Sequence, residues 1–282
     1  MRTLESIEYF KKFPVFSTKT ISARASRGYI NLYLHRLEKK HLIERIEKNL
    51  YTNYKAPFLL ASRIVWPSYI SCWSGLKFHN LTEQVPNAIF VIIPRYKKTI
   101  IFQNTSIYFI ATKSKNIFGY EKVIYKGFEI FIADKEKAII DSALFKKASF
   151  SELQEIISHN LKQLSIKKFL KYLKKIGNKS LIKRLGYVLD ILGKDCNKEL
   201  KKYVDKVYIP LDYAKKKSGI KNKKWMIVKN AWKRRNNKDC EREKWAGKNS
   251  RGRLSSWATF IYYTRELKRA YFQGRNSFIQ AL

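Results

Sequence analysis

In residues 17–54 the apolar positions recur first at helical and then at strand spacing, and that switch limits what this stretch can become. Thr18 opens a short helical segment over residues 19–25, and Ser26 and Arg27, with Gly28 close behind, mark a break. A second helix over residues 26–39 carries Ile30, Tyr33, Leu34 and Leu37 at spacings of three and four, which puts them on one face. The opposite face presents Arg27, Asn31, His35 and Arg36, with Tyr29 and Leu32 on its flank. After Lys39-Lys40-His41, residues 43–46 meet residues 50–53 across Glu47-Lys48-Asn49, and Asn tolerates the left-handed conformation such a turn often needs. Any small three-helix unit shares the helical part of this pattern. The basic hairpin that follows sets it apart and predicts a winged helix-turn-helix, with its second helix suited to a DNA major groove. On that expectation Arg27, Asn31 and Arg36 meet base edges beside Tyr29 and His35, while Lys19, Arg45 and Lys48 meet phosphate.

The charge balance points the same way. Lys plus Arg number 59 against 22 Asp plus Glu, a formal net charge of +37, which attracts polyanions and nucleic acid first among them. Lysine predominates over arginine throughout, a bias that genome composition also produces, so part of the excess reads as a solvated face. No apolar run approaches the roughly 20 residues a membrane-spanning helix needs. Glu5, Glu8, Lys11 and Lys12 interrupt any leader-like core at the N-terminus, so no membrane partner is expected. Cys72, Cys196 and Cys240 are odd in number and far apart, which argues against structural zinc or a disulfide framework and for a reducing cytoplasm.

At 282 residues, 45% of them hydrophobic, the chain has material for about two domains. The first boundary is expected near Lys55-Ala56-Pro57, leaving a DNA-binding domain at 1–55, a second domain at 58–230 and a basic extension at 231–282. Helices are expected over residues 58–65, up to Trp66-Pro67, and over 69–79, with Ser68 as N-cap and Ser68, Ser71 and Ser74 along one helix edge. Residues 88–93 read as a buried strand ended by Pro94. Residues 99–102 with 106–111, and 122–125 with 128–132, read as hairpins. The predicted class is α+β, with a small mixed or antiparallel sheet covered by helices on at least one face. From Asp134, a candidate N-cap, the period turns helical, with further caps at Ser151 and Ser165 and stops at Gly177 and Gly193.

Short segments of this second region, taken in order, resemble AbiEi-type abortive-infection antitoxins. They are Pro67-Ser68-Tyr69-Ile70-Ser71, Ser74-Gly75-Leu76, His79-Asn80-Leu81 and Ile93-Pro94-Arg95, followed by residues 133–141 and Lys183-Arg184-Leu185-Gly186-Tyr187-Val188-Leu189. Ile209-Pro210-Leu211-Asp212 and residues 225–230 resemble the family's closing segment, so the resemblance covers roughly residues 1–230. It implies an operon autorepressor that binds operator inverted repeats in double-stranded DNA, a homodimer on DNA being one such arrangement. It also implies that the chain counteracts a nucleotidyltransferase-like toxin without forming a stable complex. Lys77, Arg95 and Arg184 are candidates for the antitoxin surface, and Lys137 serves either there or as the structural partner of Asp141. Gly75 stands where the family usually has Ala, which weakens that helix by about 1 kcal/mol. Asn49 replaces the usual wing Gly, and residues 231–282 have no counterpart.

That extension holds Lys233-Arg234-Arg235, Arg251-Gly252-Arg253 and an aromatic run at residues 257–263. Such a mixture suits single-stranded nucleic acid; an accidental lengthening of the chain explains it more simply. Catalysis finds little support. Asp134, Glu136 and Asp141 are the compact acidic cluster, but neither Asp134 nor Glu136 has Lys two places on, as a metal-dependent nuclease would want. Lys137 and Asp141, four apart, form a simple surface ion pair on this view. His35, His41, His79 and His159 are scattered, and no Gly-rich phosphate loop precedes a helix. No cofactor, metal or catalytic residue is therefore expected. The leading function is the DNA-binding antitoxin, ahead of a stand-alone transcription factor and, further back, a nuclease.

Overall fold

Apolar side chains from the first and third helices close over a small sheet. The computed structural model describes residues 3–21, 27–213, 215–216 and 218–230. Helix α1 (Thr3–Lys11) is followed by strand β1 (Phe16–Ser17), helix α2 (Thr18–Ile21), helix α3 (Arg27–Lys39) and strands β2 (Glu44–Glu47) and β3 (Leu50–Thr52). Their core is Phe10, Phe16, Ile30, Leu34, Leu37, Ile43 and Tyr51, with Phe10 stacked on Phe16 at 4.4 Å. The three strands run antiparallel in the order β1-β3-β2. Glu47 pairs with Leu50, so the expected three-residue turn is a two-residue one, with Asn49 left-handed at φ 62°. Strand β1 was not expected; two residues are too few to show alternation. The break expected around Ser26 lies outside the described residues.

The next elements are helix α4 (Pro57–Ala61), strand β4 (Tyr69–Ile70), helix α5 (Cys72–Phe78) and strands β5 (Ala88–Ile93), β6 (Ile100–Phe102), β7 (Thr105–Ala111), β8 (Tyr120–Tyr125) and β9 (Phe128–Ala133). They build a mixed six-stranded sheet in the order β6-β7-β5-β4-β9-β8. The buried strand and both hairpins lie where the sequence puts them. Two helical expectations are corrected. The helix at residues 58–65 stops at Ala61, and the helix at 69–79 begins only at Cys72, because Tyr69 and Ile70 insert as a strand between β5 and β9. Ser68 is no N-cap: its hydroxyl donates to the Ser62 carbonyl at 3.0 Å. Ser71 holds the cap position of α5, and Ser74 donates to the Ala88 carbonyl at 3.1 Å, so the three serines share no helix edge.

Helices α6 (Lys135–Leu144), α7 (Phe150–Asn160), α8 (Ile166–Ile176), α9 (Lys179–Ile191) and α10 (Asn197–Leu200) follow, then strands β10 (Ile209–Pro210), β11 (Ile220–Asn222) and β12 (Ile227–Lys229). The described residues thus give an α+β chain of ten α-helices and three sheets. Asp134 and Ser165 cap α6 and α8 as expected, and Gly177 ends α8 at φ 67°. The cap of α7 is Ser149 rather than Ser151, closed reciprocally by Glu152 in a capping box. Strands β10 and β12 pair in parallel, bringing together two segments nearly twenty residues apart in the chain.

Each face of the six-stranded sheet has its own core. Tyr69, Ile92 and Ala133 pack against apolar side chains of α5–α9 on one face. Ile70, Val91, Ile107 and Ile132 pack with Leu59, Leu60 and Ala61 on the other. Ile46 of β2 joins this second core beside Ile100 and Phe102, so the small sheet is seated on the large one. Lys97 pairs with Glu47 at 2.7 Å and the Gln103 amide donates to Glu44 across the same seam, while the Tyr54 hydroxyl donates to the Lys11 carbonyl at 2.6 Å. The described residues accordingly belong to one compact unit.

On the described helices, glycine stands at two close approaches. At Gly75, where α5 meets α6, a Cβ would lie 3.2 Å from that of Ala138. An alanine there would require Ala138 to shift by a few tenths of an ångström. At Gly186 the ring of fully buried Trp225 would be only 2.3 Å away. Gly186→Ala should therefore cost about 1–3 kcal/mol by overpacking, and Gly75→Ala distinctly less. Urea unfolding of both variants measures this, and an unperturbed Gly186→Ala protein would contradict the packing described.

Candidate functional site

Helix α3 sorts its residues by face. Ile30 and Leu37 are almost wholly buried and Leu34 is entirely so, while Tyr33 packs against the same core. Tyr29, Asn31, Leu32, His35 and Arg36 are exposed. Arg27 heads the helix, and its side chain lies outside the described part. Arg45 and Lys48 are exposed on the β2–β3 hairpin, and Lys19 is exposed on α2. The Arg45 guanidinium folds back toward the Glu47 carbonyl at 3.4 Å. Tyr29 lies over Tyr33 with centroids 6.2 Å apart and planes 6° from parallel, which holds an aromatic face on the outer side of α3. Of the eight expected DNA-facing residues, seven are thus exposed, on α2, α3 and the β2–β3 hairpin. Leu32, expected on the flank, lies nearer the middle of that surface.

Of the four residues put forward for an antitoxin surface, only Arg95 is exposed. Arg95 is exposed at the end of β5, and Lys77 is half-buried on α5 with its ammonium 3.4 Å from the Glu83 carbonyl. Arg184 is half-buried on α9; its Nε donates to the Pro210 carbonyl at 2.9 Å and its guanidinium lies 5.5 Å from the Phe150 ring centre. Burial lowers its pKa. This arginine clamps the closing sheet to α7 and α9 rather than facing solvent.

Lys137 is the clearest correction, because its side chain is fully buried and the ion pair with Asp141 is no surface feature. Its ammonium pairs with Asp141, donates to the Tyr69 hydroxyl at 2.9 Å and lies 4.9 Å from the Phe118 ring centre. Asp141 also accepts from the Ser71 hydroxyl at 2.8 Å and the Tyr69 hydroxyl at 3.1 Å. Burial pushes the Asp141 carboxyl up, and Lys137, Ser71 and Tyr69 pull it back without cancelling that effect. The Tyr69 hydroxyl and the neighbouring Cys72 thiol are pushed up by the same burial, with Asp141 adding to it. Lys183 is a second buried lysine, satisfied by Asp205 and by the Val207 carbonyl at 2.6 Å.

The acidic cluster seen in the sequence divides. Asp134 caps α6, accepts from Tyr172 at 2.6 Å and pairs with Lys168 at 2.8 Å. Glu136 accepts from the Ser165 backbone at 2.7 Å, and Asp141 turns into the buried pair. Among the described residues no group of three or more His, Cys, Asp or Glu could hold a metal ion. A separate cavity of about 520 Å³ opens beside Trp73, between the α5–β5 connection and α7, with Glu83, Glu155 and His159 in its lining. The described residues include no helix long and apolar enough to cross a membrane. The basic and aromatic clusters expected after residue 230 lie outside them.

Removing one partner of a buried pair strands the other, at about 3–5 kcal/mol. Lys137→Met should lose roughly that much, and Lys137→Met/Asp141→Asn should recover most of it, since Asn still accepts from Ser71 and Tyr69. A raised carboxyl pKa contributes stability that is fully present below the ordinary carboxylate range and lost as pH rises through the folded value. Lys137→Met removes the largest pull against burial, so its deficit should be larger at pH 8 than at pH 5 in urea unfolding. A deficit unchanged by pH, or a mere fraction of a kcal/mol, would contradict the pairing.

No protein-family model matches the chain, and no curated protein is similar to it. The likeness to AbiEi-type antitoxins therefore rests on the short segments quoted above.

Proposed function

We propose that residues 3–54 act as a winged helix that reads duplex DNA, and that the chain is a DNA-binding regulator of the AbiEi antitoxin kind. The observation that carries this is the two-faced α3. It buries Ile30, Leu34 and Leu37 and leaves Asn31, His35 and Arg36 outward, beside exposed Arg45 and Lys48 on the hairpin. A helix of 13 residues is long enough to lie in a major groove while the hairpin follows the adjoining phosphates. One such unit touches few base pairs, so usable specificity calls for two copies on an inverted repeat. Autorepression and the counteracting of a nucleotidyltransferase-like toxin are supported by the family resemblance.

The seating of Ile46 on the sheet shapes how the antitoxin part is tested. Deleting the first 55 residues would uncover the apolar face that Ile46 covers, so point variants of the full chain are the cleaner tool. Alanine at Asn31, His35 and Arg36 together should abolish preference for the promoter fragment, each good base contact contributing about 1–3 kcal/mol. Lys48→Ala should weaken all sequences alike and flatten the salt dependence by about 0.9 in slope. Toxin rescue by the triple variant on co-expression should be unimpaired. Binding isotherms against promoter and scrambled duplexes at several salt concentrations measure the first two effects. Equal binding of promoter and scrambled DNA by the unaltered chain at every salt would leave only a generic polyanion binder.

A further inference from the structure

Helix α3 turns an apolar centre outward between polar flanks. Gly28, Leu32, His35 and Lys39 follow spacings of four, three and four, which places them on the side away from Ile30, Leu34 and Leu37. Leu32 is 49% exposed, and Tyr29 is exposed to the same degree three residues before it. A lone surface leucine means little. This one sits with an aromatic ring amid Asn31, His35 and Arg36, in the middle of a polar and cationic surface. Gly28 adds a second, independent oddity: a Cβ built there meets nothing within 4 Å, so no contact among the described residues requires glycine. Glycine nevertheless weakens a helix relative to alanine. Among the described residues neither is part of the core. Both make sense against an apolar-bearing surface that α3 must approach closely.

We infer that Leu32, with Tyr29 beside it, reads thymine methyl groups in the major groove, and that Gly28 lets the helix seat close enough to do so. This rests on the DNA-reading role proposed above and names its substrate: duplex sites carrying thymine beneath Leu32. Thymine is the one standard base that offers a methyl group in that groove, and an apolar side chain is what distinguishes it from cytosine. Asn31, adjacent on the helix, matches adenine, to which an amide can donate and accept at once through N6 and N7. The two together select A·T-containing steps. The stacking of Tyr29 on Tyr33 holds the aromatic part of the patch in place before DNA arrives.

The test selects duplexes from a random-sequence pool with the full chain, then resynthesises the preferred duplex with uracil replacing each thymine in turn. Uracil pairs identically and lacks only the methyl group. Burying one methyl is worth about fourfold in affinity, so one or two positions in each half-site should lose about that factor. Leu32→Ala should bind thymine and uracil duplexes alike. Gly28→Ala should bind more weakly while its thermal unfolding midpoint is unchanged or raised, which separates seating from folding. If the preferred duplex binds equally well with uracil at every position, the methyl reading is wrong while DNA reading stands. If Gly28→Ala binds as tightly as the unaltered chain, the close seating is wrong. If the pool yields no preferred duplex, sequence-specific reading itself fails and the methyl contact falls with it.

Discussion

The Lys137–Asp141 pair joins helix α6 to strand β4 at the centre of the six-stranded sheet. Its hydroxyl partners come from the β4 segment: Tyr69 on the strand, and Ser71 at the start of α5. Burying two ionisable groups is expensive unless each finds partners. The price is met here because the α6 pair finds its hydroxyl partners on β4 and at the start of α5, so the network forms only when β4, α5 and α6 are all in place. A shifted register at β4 would leave a buried charge unmatched. Strand β4 has two residues and lies between β5 and β9. A strand so short needs this kind of fixing.

The small sheet that packs with α3 is seated on that large sheet. Ile46 faces the large sheet's second core, and Glu44 and Glu47 on the same strand engage Gln103 and Lys97. The exposed polar contacts at this seam are individually weak, whereas the buried isoleucine supplies apolar contact that water cannot replace. The positive charge of the chain is meanwhile spent in several ways. On α8, Lys168 pairs with Asp134, Lys174 with Glu199, and Lys175 lies 4.1 Å from the Phe118 ring centre. Net charge alone therefore says little about where a polyanion docks. The face of α3 and its hairpin is distinguished by combining cations with side chains able to address bases.

How far the sequence discloses this depends on the range of the forces involved. Residues 88–93, the hairpins around Gln103-Asn104 and Lys126-Gly127, and the buried face of α3 follow from local pattern and turn chemistry, and all are legible. The strand at Tyr69-Ile70 is not, because serines spaced by three suggest a helix edge and two residues cannot show alternation. Ser149 was legible in principle: Ser149 and Glu152 stand at capping-box spacing, a better signal than Ser151 alone. The burial of Lys137 was out of reach, since its partner Tyr69 lies 68 residues away. Read locally, a lysine four residues before an aspartate is a surface pair. On α3, helical spacing is enough to place Leu32 opposite the buried stripe.

Amide hydrogen exchange of the full chain, with and without a promoter duplex at physiological salt, tests most directly whether α3 and its hairpin form the DNA-reading surface. The account expects duplex-induced protection concentrated in residues 27–39 and 44–52, with the lysine-rich helix at residues 166–176 little changed. Protection centred on residues 166–176, or spread thinly over the chain and equal with scrambled DNA, would contradict it.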